Sequence, residues 1–245
     1  MTHSILQDTS LCAIVRDELI NPAGGIKRFV RAIMPHVEAG VIFDTGSVDG
    51  TRQALENLQA EFPNLDVYDR PFDDYAGARN ASLRKVKTKR ALVLDADELI
   101  TKKGFQTLGE VVESSNAIGY NFIFNHVSPD NIQGKNIIGA HNPRLFNQSK
   151  RIRYALTRKY KSFEMLYLYP TPVPLFPSMQ LQNGKNVHSL HSDTPIIHFL
   201  PGDKDGANLK FTDWYDSVDF SKAPSRCPHF RKWKAYNPRR DDYNN

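Results

Sequence analysis

The chain has 245 residues, 40% of them hydrophobic and 24% charged, which is the make-up of a soluble globular protein with room for one large domain or two small ones. No run approaches the ~20 apolar residues that cross a bilayer, Met1 to Ser10 holds no signal-peptide core, and Cys12 and Cys227 make no disulfide framework, so a reducing cytoplasm is the expected setting. The net charge of +5 suits an anionic ligand without naming one.

Ser10 to Arg16 reads as a short apolar strand. Gly25 to Val37 places Ile26, Phe29, Val30, Ile33, Met34 and Val37 on one face of a helix. Val41 to Asp44 is a second strand, followed by the turn Gly46-Ser47-Val48-Asp49-Gly50. Thr51 to Phe62 is a helix with Ala54, Leu55, Leu58 and Phe62 inward, and Asp49 or Ser47 is placed to cap its start. Leu65 to Tyr68 is a third strand, Tyr75 to Val86 a helix and Arg90 to Leu94 a fourth strand. Thr101 to Ser114 is a helix carried by Phe105, Leu108, Val111 and Val112, and Tyr120 to Val127 is another strand. This βαβα order predicts an α/β fold with a mostly parallel, Rossmann-like sheet flanked by helices.

The second half is less regular. Asn131 to Asn142, with several Gly and Asn residues, is a loop or a hairpin. Arg144 to Phe146 and Ile196 to Phe199 are short strands. Tyr169 to Pro177 carries proline at 170, 172, 174 and 177, so it is extended and no central strand. Three stretches are basic: Lys85 to Arg90, Arg151 to Lys161 with Tyr154 and Tyr160 interleaved, and the aromatic Arg226 to Arg240.

The strongest chemical signal is Ala91-Leu92-Val93-Leu94-Asp95-Ala96-Asp97-Glu98, an apolar run that ends in three carboxylates. It reads as a buried parallel strand that delivers Asp95 and Asp97 to the rim of the sheet, where open α/β folds bind ligands. Two carboxylates one residue apart can share a hard cation that takes its other ligands from water and a substrate's phosphates. Alone, the pattern is also what a strand ending in a solvated acidic turn looks like.

Two further motifs decide between these. Asp44-Thr45-Gly46-Ser47-Val48-Asp49-Gly50-Thr51 follows the second strand, and Ala78-Arg79-Asn80 lies early in the third helix. With Asp95-Ala96-Asp97-Glu98, this set resembles a family 2 glycosyltransferase of the GT-A fold. Cys12-Ala13-Ile14-Val15-Arg16-Asp17-Glu18 resembles the opening strand of that family, with Arg16-Asp17-Glu18 where Lys-Asn-Glu is usual. Arg144-Leu145-Phe146 resembles the segment after the metal strand. The resemblance is strong over residues 10 to 100, fair to about 200 and absent beyond.

The resemblance implies a nucleotide-sugar donor, with UDP favoured, and a manganese or magnesium ion. Val15, Arg16, Glu18, Asp44, Ser47, Asp49, Arg79, Asp95 and Ala96 would contact the donor. Asp97 would bind the metal, with Asp95 on the ribose or the metal and a late His198 on the metal or diphosphate. The metal would act as a Lewis acid on the departing diphosphate. Arg79 can offer its guanidinium fork to phosphate, or be a surface helix arginine. Asp49 reads equally as a turn and cap residue, and His198 equally as a structural histidine. Inverting transfer needs a base for the acceptor hydroxyl. By resemblance that is Glu164, although Phe163 stands where a histidine is common; Asp130 and Asp193 are alternatives.

Other classes lack support. The chain has no Gly-x-Gly-x-x-Gly after its first strand, no Walker motif and no Gly-x-Ser-x-Gly elbow. The expected organisation is a GT-A domain over residues 1–215, with a nucleotide-sugar half (1–128) and an irregular acceptor-side half (129–215). A basic aromatic extension (216–245) follows. The expected acceptor is a saccharide such as lipopolysaccharide or another surface glycan. The basic stretches leave open DNA with hydroxymethylated bases, as in phage-type DNA glycosyltransferases.

Overall fold

The computed structural model describes residues 5–19, 21, 25–128, 131–137, 142–156, 164–169, 173–175, 187–190 and 196–199. Asp130, Asp193, Cys227, most of the proline run and the stretch Arg226 to Arg240 lie outside them.

The first strand, β1, spans Leu6–Val15 and is longer than expected. Helix α1 (Ile26–Ile33) buries Ile26, Phe29, Val30 and Ile33, the expected apolar stripe. It stops four residues short of the predicted end. Pro35 has no N–H to continue the helical ladder, so Met34–His36 forms a single 3-10 turn and Val37 opens β2 (Val37–Asp44). Helix α2 (Thr51–Glu61) begins at Gly50, whose φ of 94° is the left-handed conformation glycine adopts freely. Neither Ser47 nor Asp49 occupies the cap position, a correction of the sequence expectation. Asp49 Oδ1 instead accepts the Thr51 N–H at 2.8 Å, and Ser47 Oγ accepts the Asp17 N–H at 2.9 Å.

Strand β3 is Leu65–Asp69, and helix α3 is Tyr75–Leu83, capped by Asp74, which accepts the Gly77 N–H. The helix ends before the predicted Val86 because the N–H groups of Lys85 and Val86 turn to the carbonyls three residues back. Strand β4 (Arg90–Val93) leads into the short β5 (Glu98–Leu99), and helix α4 (Lys102–Ser114) is capped by Thr101. The predicted strand Tyr120 to Val127 is two strands in two sheets, β6 (Gly119–Asn121) and β7 (Phe124–Ser128). Then come β8 (Asn131–Ile137), β9 (Leu145–Asn147), β10 (Ile152–Leu156), β11 (Glu164–Leu168), β12 (Val173–Pro174), β13 (Val187–Ser189) and β14 (Ile196–Phe199). β7 and β8 pair antiparallel, so 131–137, expected as part of a loop or a hairpin, is one strand paired with 124–128. β12 is an edge strand, where proline is tolerated.

The main sheet has the order β13-β6-β9-β4-β1-β2-β3. Every strand runs the same way except β9, which enters antiparallel between β6 and β4. The mostly parallel α/β architecture is therefore as expected. Alternation along β1 sends Leu11, Ala13 and Val15 to the core under α1, α2 and α4, and Cys12 to the opposite core with α3. A three-stranded sheet, β10-β11-β12, packs against α3 through β10. A four-stranded sheet, β5-β14-β7-β8, closes the other side. The register pairs Val15 with Asp44 and Asp44 with Asp69, so the carboxyl ends of β1, β2 and β3 finish level.

Candidate active site

Those level ends open onto a cavity of about 600 Å³, lined among others by Arg16, Asp44, Thr45, Ser47, Arg70 and Phe72. It has the size and polar–apolar mix of a small-molecule site. Asp44 is fixed by its own turn: Oδ1 accepts the N–H groups of Gly46 and Ser47, each at 2.7 Å. Its Oδ2 is buried and has no partner. Arg16 is 3% exposed, and its Nε and Nη2 likewise have no partner. Asp17 Oδ2 lies 3.8 Å from Arg16 Nε, too long for a hydrogen bond. Of the other arginines lining the cavity, Arg52 is paired with Asp69 and Glu56, and Arg70 with Asp73. Phe72 meets the Tyr75 ring edge-on, with centroids 5.1 Å apart.

Asp17 holds the rim. It is a non-glycine residue at φ 53°, an uncommon conformation that asparagine and aspartate tolerate best. Its Oδ1 accepts the Val48 N–H at 2.8 Å, while Oδ2 is buried without a partner. Burial pushes its carboxyl up to about 6, opposed by the Val48 N–H and Arg16 and reinforced by Asp49 and Asp44. The remaining predicted residues of this region brace the turn and are not among the cavity's lining. The Val15 carbonyl accepts the N–H and hydroxyl of Thr45. Glu18 is buried, with its N–H on Thr51 Oγ1 and its carboxylate on the Asn21 amide. Asp49 holds the backbone of Leu19 and Thr51.

The second part of the site is the corner after β4. The Asp95 N–H donates to Glu98 Oε2 at 3.0 Å, and the Glu98 N–H returns to the Asp95 carbonyl at 2.9 Å. Ala96 is buried between the two aspartates. Arg79 Nη2 donates to Asp95 Oδ1 at 2.6 Å, and Arg79 Nε to Glu164 Oε1 at 3.0 Å. Arg144 Nη2 donates to Glu98 Oε1 and, at 3.4 Å, to Asp95 Oδ2. The two guanidiniums lie by aromatic rings, Arg79 at 5.9 Å from the Tyr154 centroid and Arg144 at 5.4 Å from that of Phe124. Arg79 stays charged because Asp95 and Glu164 outweigh the cost of its burial. Burial pushes Glu98 up to about 7, against the pull of Arg144.

Arg79 is therefore no surface arginine; it is 5% exposed and two of its nitrogens are held by carboxylates. Its Nη1 is the nitrogen left buried without a partner. The sequence reading gave no role to Glu98 or to Arg144, although both stood inside the motifs it quoted. The His198 backbone pairs with Glu98 across β14 and β5, one residue from Asp97, while its side chain lies outside the description.

The fit of a divalent metal follows from this donor set. Among the described residues, no three His, Cys, Asp or Glu side chains form a cage. Both Asp95 oxygens already accept from arginines. Asp97 is half-buried, with Arg28 of α1 as a nearby positive charge. A magnesium-like ion that keeps waters and takes substrate phosphates needs only one or two carboxylates. Asp97, with Asp95 beside it, fits that need.

The chain matches the family described as "Glycosyl transferase family 2" over residues 30–170, and belongs to it. A TPR repeat-containing protein of Synechococcus elongatus is 27% identical over 149 residues, which are 61% of this chain and 34% of that protein. The chain thus spans about a third of the length of this curated relative. Among solved structures, S. aureus TarS 1-349 in complex with UDP aligns over 92% of this chain and 77% of its own, at 11% identity and a TM-score of 0.56. The same protein with UDP-GlcNAc aligns over 88% and 68%, at 10% identity and a TM-score of 0.57. The chain shares its fold with these structures. Among the described residues, no helix is long and apolar enough to cross a membrane.

Proposed function

We propose that the chain moves a sugar from a nucleotide-sugar, a UDP-sugar, to an acceptor hydroxyl with inversion, aided by manganese or magnesium. The observation that carries this is the cavity at the ends of β1 to β3, where buried Arg16 and Asp44 keep hydrogen-bonding atoms unfilled in a sheet that ends next door in Asp95 and Asp97. The nucleoside enters that cavity, and its diphosphate reaches toward the Asp97 corner. A metal held there by Asp97, beside Asp95, would supply Lewis-acid neutralisation of the leaving diphosphate. Arg79 and Arg144 keep the corner from being a cluster of unpaired negative charge. Glu164 takes the proton from the acceptor hydroxyl, and Arg79 holds one of its oxygens in place. Residues 1–128 then form the donor half and 129–215 the acceptor half, with 216–245 as an extension.

The acceptor is a saccharide, such as lipopolysaccharide or another surface glycan. The DNA alternative gains nothing from Lys85 to Arg90. That stretch ends at Arg90, the first residue of β4, which is roughly 16 Å along the chain from Asp95 at about 3.3 Å per residue. UDP released from UDP-sugars, UDP-GlcNAc among them, by the full chain with glycan acceptors and manganese tests the proposal. Absence of transfer from every nucleotide-sugar, with donor binding also absent, would end it.

A further inference from the structure

Two of the basic stretches meet in the fold, away from the cavity. Arg90 pairs with Asn147 across β4 and β9, and the Gln148 N–H donates to the Lys89 carbonyl at 2.8 Å. The Gln148 side chain donates to the Leu83 carbonyl at the end of α3. The Tyr169 N–H, just past β11, donates to the Arg151 carbonyl at 2.8 Å. The turns 84–89 and 148–151 and the start of β10 therefore form one surface. Lys87, Lys89, Lys150, Arg151 and Arg153 are exposed on it. It lies at the amino end of β4, whereas the cavity opens at the carboxyl ends of β1, β2 and β3.

This surface has no counter-charge of its own. From Ala81 to Leu94 and from Asn142 to Leu156 the sequence holds no Asp or Glu. Among the described residues, none of these cations pairs with a carboxylate. By contrast, Arg31 holds Glu61, Arg52 holds Glu56 and Asp69, and Arg70 holds Asp73. Like charges gathered without counter-charge repel one another, and a polyanion relieves that repulsion.

We infer that this surface docks the protein on an anionic phospholipid bilayer. A leaflet of acidic lipids asks only for clustered charges and gains from each Lys or Arg brought near it. Arg153 stacks on the Tyr169 ring, its guanidinium carbon 3.7 Å from the centroid, which uses the flat face and leaves the N–H edge for a phosphate. The half-buried Tyr167 and Tyr169, with centroids 6.4 Å apart, add amphipathic rings of the kind that settle at the polar boundary of a bilayer. Nucleic acid suits the surface less. Single strands stack their bases on open ring faces, but Tyr154 is buried and Arg153 covers a face of Tyr169. Docking through the amino end of β4 leaves the cavity at the opposite end of the sheet open to its ligands. It stands whether or not that cavity binds a nucleotide-sugar.

Sedimentation of the full chain with lipid vesicles tests this. Vesicles containing phosphatidylglycerol should bind it about a hundredfold more tightly than vesicles of phosphatidylcholine alone, and the difference should fade as salt rises. Lys87→Ala, Lys89→Ala and Arg151→Ala together should lower the affinity for the anionic vesicles about a hundredfold. Lys27→Ala, Lys102→Ala and Lys103→Ala change the net charge equally at exposed positions of α1 and α4, and should lower it less than about threefold. Equal losses in the two triple variants would reduce the effect to net charge and overturn the docking surface. Loss on replacing Arg231, Lys232 and Lys234 by alanine, with none on replacing Lys87, Lys89 and Arg151, would overturn it too. Wild-type protein that binds duplex DNA but neither kind of vesicle would give the surface to nucleic acid instead. Equal binding of the wild-type protein to both kinds of vesicle also ends the proposal, and that comparison needs no variant to fold.

Discussion

Arg79 Nε stands 3.0 Å from Oε1 of Glu164, a residue 85 positions further along the chain. The other arm of the same guanidinium holds Asp95 at 2.6 Å. One buried cation thus ties the end of β4 to the start of β11. It also sets the spacing between the donor corner and the proposed base.

Removing that cation takes an arginine partner from Glu164 and one from Asp95, which keeps Arg144 at 3.4 Å. Breaking a buried ion pair costs 3–5 kcal/mol when both groups are fully buried. Here the Asp95 side chain is 36% exposed and that of Glu164 16%, so the cost should be about 2 kcal/mol. Arg79→Met should lose that much in urea unfolding and should lower kcat more than it raises the donor KM. Arg79→Lys should recover part of the stability and little of the turnover, because an ammonium cannot span both carboxylates as the fork does. A methionine variant with wild-type stability would show that the bridge is dispensable.

Asp97→Ala should remove most transfer and abolish the response to manganese or magnesium. The variant keeps the bridges among Asp95, Glu98, Arg79 and Arg144 that build the corner. Near wild-type transfer by Asp97→Ala would show that the metal corner is assigned wrongly.

Glu164→Gln keeps the shape of the side chain and removes its basicity. Turnover should fall by on the order of a hundredfold while donor affinity persists, as for loss of a general base. Unchanged turnover would pass the role to Asp130 or Asp193.

Asp17 gives a pH signature. Its carboxyl is raised from 3.8 to about 6 by burial, so the folded protein binds this proton more tightly than the unfolded chain does. Its contribution to stability is therefore greatest below pH 4, declines between pH 4 and 6, and stays at its lowest above 6. Asp17→Asn keeps a side chain suited to φ 53° and an oxygen for the Val48 N–H. The variant should be stabilised by on the order of 2 kcal/mol at pH 7.5 and gain little at pH 4. Thermal unfolding across that range measures it, and an equal effect at both pH values would show that Asp17 is not the group responsible.

The parts of this site that the sequence displays are those where a strand pattern ends in charge. Val41 to Asp44 and Ala91 to Asp97 each show an apolar run stopping at carboxylates, and the parallel register sets these ends on either side of β1. The Arg144 bridge to Glu98 and Asp95 is not legible in this way. It depends on β9 entering antiparallel between β4 and β6, with the Val93 N–H on the Arg144 carbonyl at 2.6 Å, and no local periodicity encodes that reversal. β13 was missed because Val187-His188-Ser189 is too short to show a period. The split of Tyr120 to Val127 was missed because an apolar run looks alike whether it stays in one sheet or crosses to another.

The acceptor class is decided by salt. If the chain acts on DNA, Arg226 to Arg240 and Arg151 to Lys161 contact backbone phosphates, and log affinity for duplex should fall against log salt with a slope near −0.9 per contact. Replacing Arg231, Lys232 and Lys234 by alanine should then flatten that slope by up to about three contacts while UDP binding is unaffected. If the acceptor is a saccharide, duplex binding should be weak, and the triple substitution should barely alter transfer to a glycan. Gel shifts across a salt series, followed by sugar incorporation into hydroxymethylated DNA and into oligosaccharides, separate the two. The saccharide is expected, because a net charge of +5 is modest for a DNA-binding enzyme and Lys85 to Arg90 ends at the first residue of β4, at the far end from the acidic corner. Incorporation into DNA with none into any glycan would reverse that expectation.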